Sequence, residues 1–298
     1  MGELNDILHG LEPSLGPVGG DPAPLEGGIT NRNFRVRFGE GEYVVRLHGR
    51  DTELLGIDRE AERVACEAAA GLGIAPQLAA SFDGGLVTRY VSCAPLDTAD
   101  IAARAEEIAT ALRAFHDCPV SLPVVFSVPD LLDSYAAVVT ARGGRLPELY
   151  AEARELAGKI AAALPATRPA PCHNDLLPGN LLREREGDRI MIVDWEYAGM
   201  GHPCFDLGNL SVNNGFDEAA EERLLGAYHG TSPSPAQRAT LQLMRVLSDV
   251  REAAWGVMQA AISDLAFDFD GYAERHFRRL RAVISDGRLA PWLAAAAG

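Results

Sequence analysis

The stretch that decides the fold reads His173-Asn-Asp-Leu-Leu-Pro-Gly-Asn180, and a second acid, Asp194, follows fourteen residues later. The residues just before Asp194, 189–193, form an apolar, β-branched run that predicts a buried strand ending at this acid. An acid, an amide and a second acid at this spacing suit phosphoryl transfer from Mg-ATP, because one carboxylate can accept the hydroxyl proton while amide and carboxylate oxygens hold the metal. The alternative is a polar loop whose side chains only shape turns around the Pro-Gly pair.

A glycine-rich turn lies upstream, in Gly27-Gly28-Ile29-Thr30-Asn31, ahead of two strand-like runs at residues 34–38 and 43–47. Their pattern, with a turn at residues 39–41, predicts a β-hairpin. Glycines let backbone N–H groups approach phosphates closely, and Thr30 and Asn31 add further donors. The sequence therefore predicts a phosphate-binding turn that includes Gly28, Thr30 and Asn31, although the Gly-Gly pair alone also fits an ordinary loop.

Arg46 lies in the otherwise apolar second strand of this hairpin, where an unpaired charge is costly and usually has a partner. The chain has a single lysine, Lys159, far from these segments, so an arginine must clamp any nucleotide phosphates. Glu62, on the helix predicted for residues 57–73, is the expected ionic partner of Arg46, and Glu60 and Glu67 are the alternatives. The alternative places Arg46 on the exposed face of an edge strand.

The overall charge and the cysteines limit the classes of partner. A net charge of −15 argues against nucleic acid and against anionic membrane surfaces, and it favours a small cationic ligand. The five cysteines are scattered without a Cys-x-x-Cys pair, which indicates neither disulfides nor zinc and favours a cytoplasmic location. No basic segment followed by an apolar one opens the chain, so we expect neither a signal peptide nor membrane insertion. The sequence gives no indication of oligomeric state.

The types of element predict an α+β fold with two lobes. Residues 1–92 predict a short helix and then strands around one helix, which would form a small, β-rich nucleotide-binding lobe. Residues 93–298 would form a larger, mainly helical lobe for catalysis and substrate binding. Its predicted helices span residues 98–116, 130–141, 146–163, 218–228, 235–263 and 271–284. The alanine-rich tail from residue 291 is expected to fray.

Taken together, these segments resemble the aminoglycoside phosphotransferase superfamily, whose fold is protein-kinase-like, and most nearly its choline/ethanolamine kinase branch. The resemblance covers residues 27 to 277 and includes the glycine-rich turn, the Val-Val-Arg46-Leu strand and both acid-bearing loops. Its most specific part runs from Trp255 through Phe267 to Tyr272, which is similar to the stretch that builds the aromatic choline pocket of that branch.

The resemblance implies a role for each matching position. Asp175 is the base, with His173 beside it in the catalytic group, and Arg46 with Glu62 forms the phosphate clamp. Asn180 and Asp194 bind Mg²⁺, and Asp206 braces the catalytic loop. The strand end Thr88-Arg89-Tyr90-Val91 pairs with adenine, so Arg89 and Val91 join the nucleotide site. The positions on the wall of the substrate pocket are Tyr197, Trp255, Leu265, Phe267 and Tyr272.

Two positions in the substrate pocket depart from the branch. Asn213 stands where a carboxylate that contacts the substrate is expected, and Glu252 stands where a second pocket tryptophan is expected. Glu252 and Trp255 are three residues apart and share a helix face. We therefore hypothesise that the negative charge has moved to Glu252, so that a cation binds over the Trp255 ring. The alternative is that Trp255 is ordinary core packing and Glu252 is solvated.

The expected function is that of an ATP-dependent kinase for a small cationic alcohol of the choline or ethanolamine type, with Mg²⁺ as the metal. One alternative is a kinase for another hydroxyl compound, such as thiamine, an amino sugar or an aminoglycoside. A second alternative is a non-catalytic nucleotide-binding protein. The presence of all three polar positions, Asp175, Asn180 and Asp194, disfavours that second alternative.

Overall fold

The computed structural model describes residues 2–25 and 31–297, so Gly28 and Thr30 of the glycine-rich turn lie outside the described residues. A first helix, α1 (Gly2–Leu15), precedes an antiparallel sheet whose described strands follow the order β1-β2-β3-β5-β4. These strands are β1 (Val18–Leu25), β2 (Arg32–Phe38), β3 (Gly41–Leu47), β4 (Leu78–Phe82) and β5 (Gly85–Arg89). Leu8 and Leu11 of α1 pack on the apolar face of the sheet.

The predicted hairpin is confirmed as β2 and β3. Phe34 pairs with Val45 and Asn33 with Arg46, and Gly39 in the connecting turn has a positive φ of 52°. The sequence analysis did not predict β1. That strand contains Pro22 and Pro24, which a sheet tolerates at its edge, and it pairs with β2 through an irregular register.

The helix α2 (Arg59–Gly71) connects β3 to β4 and carries Glu62 into the interior. The Asp58 side chain caps its first turn by accepting a hydrogen bond from the Ala61 backbone N–H. The small residues Ala61 and Ala65 are completely buried on the same helix. Since alanine side chains are short, the helix packs closely and brings the Glu62 carboxylate towards β3.

Short strands after residue 92 hold the two acid-bearing loops. β6 (Cys93–Pro95), β8 (Leu181–Glu184) and β9 (Ile190–Ile192) form one small sheet, whereas β7 (Ala170–Cys172) pairs with β10 (Gly199–Gly201). The predicted buried strand before Asp194 is confirmed as β9. The loop that carries Asp175 therefore lies between β7 and β8, and the loop that carries Asp194 lies between β9 and β10.

Helices make up most of the remaining described chain, and this agrees with the predicted α+β class. Their bounds are α3 (Thr98–Ala103), α4 (Ala105–His116), α5 (Val128–Ala141), α6 (Glu148–Ala163), α7 (Cys204–Asn213), α8 (Glu218–His229), α9 (Pro235–Ile262), α10 (Phe269–Ser285) and α11 (Leu289–Ala296). Within the described residues, no helix is both long enough and apolar enough to cross a membrane. The five cysteines are all free thiols.

Two helix predictions need correction. The single helix predicted for residues 98–116 is interrupted at Arg104, which separates α3 from α4. The Arg104 guanidinium contacts Glu107 and Asp188. The tail was predicted to fray from residue 291, but residues 291–296 lie in α11, which packs on the helical core through Trp292 and Leu293 and buries Ala296.

The helix α9 is the central element of the helical part. It begins with a capping box between Ser234 and Gln237, and most of its length is buried. Helix α7 approaches it closely at Gly208, where an added Cβ would lie 2.5 Å from the Met244 Cβ. The close contact places α7 and α9 directly beneath the loop that carries Asp175.

Candidate active site

A cavity of about 410 Å³ lies between the five-stranded sheet and the loops around β8 and β9, and we call it the cleft. Its size is that of pockets for small organic ligands. Apolar side chains from both sides form its walls, and charged or polar groups lie at one end. Lining residues include Val44, Arg46, Glu62, Leu86, Arg89, Val91, Asn180, Leu182, Val193 and Asp194. Of the residues predicted for nucleotide and metal, the cleft brings together Arg46, Glu62, Arg89, Val91, Asn180 and Asp194, whereas Asn31 is not among its lining residues.

The strand end at the rim of the cleft offers backbone groups to a ligand. The N–H groups of Arg89 and Tyr90 already donate to Gln77 O and Glu42 O. Val91 is the next residue, and among the described residues its N–H has no protein acceptor. A planar heterocycle in the cleft could therefore pair with the Val91 N–H.

Arg46 joins the two acids at the charged end of the cleft. Its Nη1 donates to Asp194 Oδ1 at 2.5 Å and to Glu62 Oε1 at 3.3 Å. Its Nε donates to Asn33 Oδ1 at 3.3 Å. Burial alone would raise the pKa of Glu62, but His48, Arg46 and Arg59 more than offset it and lower that pKa to about 2. The expected Arg46–Glu62 pair is present, and Arg46 is not on an exposed edge.

Two charged residues that the sequence analysis did not single out complete this network. Arg59 donates to Glu62 Oε2 at 2.7 Å and to Glu196 Oε2 at 3.2 Å. Asn31 also donates to Glu196 Oε2, at 2.9 Å. Burial, followed by the nearby Asp194 charge, raises the pKa of Glu196 to about 7. The available signal was spacing, since Arg59 lies three residues before Glu62 on a helix.

The backbone of the catalytic loop is held by Asp206 on α7. Its carboxylate accepts hydrogen bonds from the His173 N–H at 2.8 Å and the Asn174 N–H at 2.7 Å, and His116 Nε2 lies 3.0 Å away. Burial would raise the pKa of Asp206, but the His116 interaction and these hydrogen bonds lower it overall. Asn174 has a positive φ of 66°, which is uncommon outside glycine and is held here by these bonds. Asp206 therefore has the geometry of the brace expected at this position.

His173 is completely buried between the two loops and does not face the cleft. Its Nε2 lies 3.0 Å from Val193 O, and its Nδ1 lies 3.2 Å from the Asp175 backbone N, so both ring nitrogens are engaged. Burial lowers the pKa of His173, which favours the neutral ring that this pattern needs. The geometry favours a positioning role for His173 over the catalytic role expected from the sequence.

Asp175 lies at the junction of the cleft and the helical part, and it is nearly buried. Its Oδ1 accepts from Arg251 Nη1 at 3.0 Å, and its Oδ2 accepts from Asn180 Nδ2 at 3.1 Å. Burial raises the pKa of Asp175 to about 7; Arg251 opposes that rise, while Glu252 adds to it. A carboxylate with a pKa near neutrality can hold or release a proton under ordinary conditions.

The donor atoms for a metal fit Mg²⁺. The Asn180 amide nitrogen also donates to Asp175 O at 2.8 Å, which fixes the amide so that Oδ1 is its remaining ligand atom. Asp194 uses Oδ1 for Arg46, and Oδ2 has no hydrogen-bond donor among the described residues. Hard oxygen donors of this kind are the ones that Mg²⁺ prefers. Asp194 has a positive φ of 67°, an uncommon backbone conformation that often marks functional positions.

Aromatic residues predicted for the substrate pocket meet beside Asp175. Trp255 Nε1 donates to the Tyr197 hydroxyl at 2.8 Å, and the Trp255 and Tyr272 rings pack edge to face at 5.4 Å. Tyr272 in turn donates to Glu252 Oε2 at 2.6 Å. Phe267 lies farther out and is 40% exposed, with its ring centroid 6.1 Å from that of Tyr272.

Two other predicted pocket residues lie apart from this aromatic group. Asn213 on α7 donates to Ser248 Oγ at 3.4 Å, which connects it to α9 and not to the pocket rings. Leu265 is half exposed on the segment after α9. The structure therefore assigns the inner pocket to Tyr197, Trp255, Tyr272 and Glu252.

The charge-relocation hypothesis for Glu252 needs correction, because Glu252 already has a cationic partner. Arg251 Nη1 donates to Glu252 Oε1 at 2.8 Å, and the Arg251 guanidinium carbon lies 4.2 Å above the centre of the Tyr197 ring. Both residues are only 1% exposed, so the solvated alternative for Glu252 is also wrong. Adjacent opposite charges within a long apolar helix were the signal that could have identified Arg251.

Comparison with known proteins places this site in a family. A model of the phosphotransferase enzyme family matches residues 21–242. A probable ethanolamine kinase of Arabidopsis thaliana is 26% identical over 311 aligned residues, which cover 91% of this chain and 78% of that protein. The solved structure of a choline/ethanolamine kinase family protein from Mesorhizobium loti is 30% identical, covers 99% of both chains and has a TM-score of 0.82.

A further solved structure, LicA in complex with AMP, shares the fold at 23% identity. It covers 93% of this chain and 98% of that chain, with a TM-score of 0.74. The expected protein-kinase-like fold is thus confirmed. The expected branch of the superfamily is confirmed as well.

Proposed function

Because this chain belongs to the phosphotransferase enzyme family, in its choline/ethanolamine kinase branch, we propose that it transfers the γ-phosphate of Mg-ATP to the hydroxyl of a small cationic amino alcohol. The observation that carries the proposal is that Arg46, Asn180 and Asp194 line one end of the cleft, where Asn180 Nδ2 also donates to Asp175 Oδ2 at 3.1 Å. The relatives' names point to ethanolamine and choline as acceptors. The presence of all four residues disfavours the alternative of a non-catalytic nucleotide-binding protein.

In this proposal the nucleotide binds in the cleft, with adenine between the apolar walls and its edge against Val91. Residues 1–92 would act as the nucleotide-binding lobe and residues 93–298 as the catalytic lobe. The guanidinium of Arg46 would donate hydrogen bonds to the phosphates, while Glu62 holds the guanidinium in place. Gly28 and Thr30 lie outside the described residues, and their predicted binding of the same phosphates stays a prediction.

Asn180 Oδ1 and the Asp194 carboxylate would hold Mg²⁺. A bound magnesium ion supplies positive charge next to the phosphate oxygens. Arg46 currently pairs with Asp194, so nucleotide binding would transfer one of its N–H donors from that carboxylate to a phosphate oxygen.

The acceptor hydroxyl would lie against Asp175. Its oxygen bonds to the γ-phosphorus as the bond from that phosphorus to the β–γ bridging oxygen breaks, and ADP leaves. The hydroxyl proton goes to the Asp175 carboxylate. Asp206 and His173 keep the loop in place, because together they fix the backbone on both sides of Asn174.

The free state of all five thiols supports a reducing compartment, and we place the protein in the cytoplasm as part of this proposal.

The experiment combines Mg-ATP with a panel of alcohols and follows ADP release, with the phosphorylated product identified by mass spectrometry. The panel holds ethanolamine, choline, the N-methylated intermediates, thiamine and an aminoglycoside, and Asp175→Asn serves as the blank. We expect saturable phosphorylation of an amino alcohol that the variant lacks. Phosphorylation of thiamine or of the aminoglycoside alone would overturn the proposed acceptor, and ADP release without any phosphorylated alcohol would contradict the proposal altogether.

A further inference from the structure

Arg251 fills the space in which the pocket would receive a substrate cation. Its guanidinium lies 4.2 Å above the Tyr197 ring and donates through Nη1 to Glu252 at 2.8 Å and to Asp175 at 3.0 Å. An aromatic face and two carboxylates are the groups that recognise an organic ammonium ion. In this chain an arginine of the protein itself already contacts all three.

Arg251 is buried and is held through Nη1, whereas its Nε and Nη2 have no hydrogen-bond partner among the described residues. It is 1% exposed, it lies in the middle of the buried helix α9, and Glu252 is held from its other side by the Tyr272 hydroxyl. Moving the guanidinium out would leave Glu252 without its buried ionic partner, which is costly. A substrate must therefore bind beside Arg251 and not in its place.

That requirement separates two kinds of amino alcohol. A quaternary ammonium has no N–H donor, so it depends on aromatic faces and on direct approach to carboxylates. Arg251 covers the Tyr197 face, and the Trp255 ring is 6% exposed and packed edge to face against Tyr272. A primary ammonium is smaller and carries three N–H donors.

Acceptor capacity for such donors remains. Within the described residues, the Glu252 carboxylate accepts from Arg251 and Tyr272, and the Asp175 carboxylate accepts from Arg251 and Asn180. A carboxylate offers about four lone-pair sites, so each can accept a hydrogen bond from a further donor. When Asp175 is ionised, the net charge of these two acids with Arg251 is negative, which leaves attraction for a small cation.

We propose that Arg251 is a specificity-determining residue that excludes quaternary ammonium alcohols and restricts the acceptor to alcohols with a primary amine. The proposal rests on the proposed function, since it narrows the acceptor class of the same site. It predicts that the protein uses ethanolamine and discriminates against choline.

The test compares ethanolamine and choline for the wild type, Arg251→Met, Arg251→Lys and a matched arginine on the same helix, Arg245→Met. Arg245 pairs with Glu221 away from the pocket. Direct binding of each alcohol is measured by calorimetry, and kcat/KM is measured for each. We expect the wild type to bind ethanolamine at least about tenfold more tightly than choline. Arg251→Met should tighten choline binding by roughly tenfold, as one freed cation–π face allows.

Arg251→Lys keeps the charge and should keep the discrimination, and Arg245→Met should leave the choline-to-ethanolamine ratio unchanged. A variant that is only less stable would weaken both alcohols together and would not change this ratio. Wild-type binding of choline as tight as that of ethanolamine would overturn the proposal, as would an unchanged ratio in Arg251→Met. The binding measurement needs no turnover, so a protein that fails to phosphorylate either alcohol would refute the proposed function and still decide the role of Arg251.

Discussion

At Arg46 a single guanidinium contacts a carboxylate from each side of the cleft, Asp194 at 2.5 Å and Glu62 at 3.3 Å. The sequence predicted Arg46 and Glu62 as partners, because a charge in an apolar strand needs one. It did not predict the contact with Asp194, since that contact depends on how the sheet lies against the loop after β9. The same limit applies to Arg251, whose partners Asp175 and Tyr197 lie in distant segments of the chain.

Replacing Arg46 with methionine should raise the KM for Mg-ATP by at least about tenfold, because a phosphate loses a bidentate cationic partner. The change also leaves Glu62 and Asp194 close together without their shared cation, so we expect a loss of about 3 kcal/mol in the free energy of unfolding. Enzyme kinetics and urea unfolding measure the two effects. Arg63→Met, which removes only exposed pairs with Glu60 and Glu67, is the control and should change neither value appreciably.

Among the elements, α7 and α9 position the catalytic loop. A helix was predicted for residues 235–263, but from α7 only Asp206 was named, as the brace of the catalytic loop. Helix α7 was missed because glycine, asparagine and aspartate weaken its local helix propensity, and packing on α9 overrides that weakness. Strand β1 was missed for the related reason that its prolines disfavour a strand except at an edge.

A methyl group at Gly208 should separate α7 from α9. The added Cβ of Gly208→Ala would lie 2.5 Å from Met244 Cβ and 2.6 Å from its carbonyl carbon, so the helices must move apart. We expect a destabilisation of about 1–3 kcal/mol and a lower kcat, since Asp206 moves with α7. The matched control is Gly158→Ala on α6, where the new Cβ meets no atom within 4 Å. The free energy of unfolding of Gly158→Ala should rise by up to about 1 kcal/mol, because alanine has a higher helix propensity than glycine. Equal losses of stability in Gly158→Ala and Gly208→Ala would contradict the packing argument.

Because Asp206 holds the catalytic loop as a carboxylate, the free energy of unfolding should depend on pH. The pKa of Asp206 is lower in the folded state than in the unfolded state, where it is near 4. The contribution of Asp206 to stability is therefore fully present above the unfolded-state pKa, and it is lost as the pH falls through the folded-state pKa. Asp206→Asn should therefore cost about 3 kcal/mol at pH 7, and the difference from wild type should shrink below about pH 4. Urea unfolding across pH 3.5 to 7 measures this. A difference that does not change with pH would exclude the Asp206 carboxylate as its source.

For the whole molecule, the order of strands and helices predicts the α+β class, and the resemblance implies the kinase-like fold. Pairing of β3 with β5 and the crossing of α7 with α9 are long-range contacts that no local pattern contains. The inner pocket is the clearest example. Its aromatic residues were expected, whereas the contacts of Arg251 with Tyr197 and Asp175 follow only from packing.

Binding of Mg-ATP should stabilise the whole protein, because a ligand that binds only the folded state adds to its stability by mass action. At about one hundred times the dissociation constant the gain is about 2.7 kcal/mol, which corresponds to a rise in Tm of roughly 5 °C for a chain of this size. Removal of magnesium with a chelator, or the change Asp194→Ala, should remove most of that rise. Thermal unfolding with and without nucleotide provides the measurement. The same rise in the presence of the chelator would argue against a metal at Asn180 and Asp194.

The most direct test of the central claim is the turnover of Asp175→Asn with Mg-ATP and ethanolamine, measured together with its affinity for Mg-ATP. The account predicts a fall in kcat of about 10² to 10⁴, since the proton acceptor is lost, with nucleotide affinity close to that of the wild type. The surface variant Asp133→Asn should behave as the wild type, because its carboxylate only pairs with exposed Arg154. Wild-type turnover in Asp175→Asn would contradict the account, because no other residue is assigned to accept the hydroxyl proton.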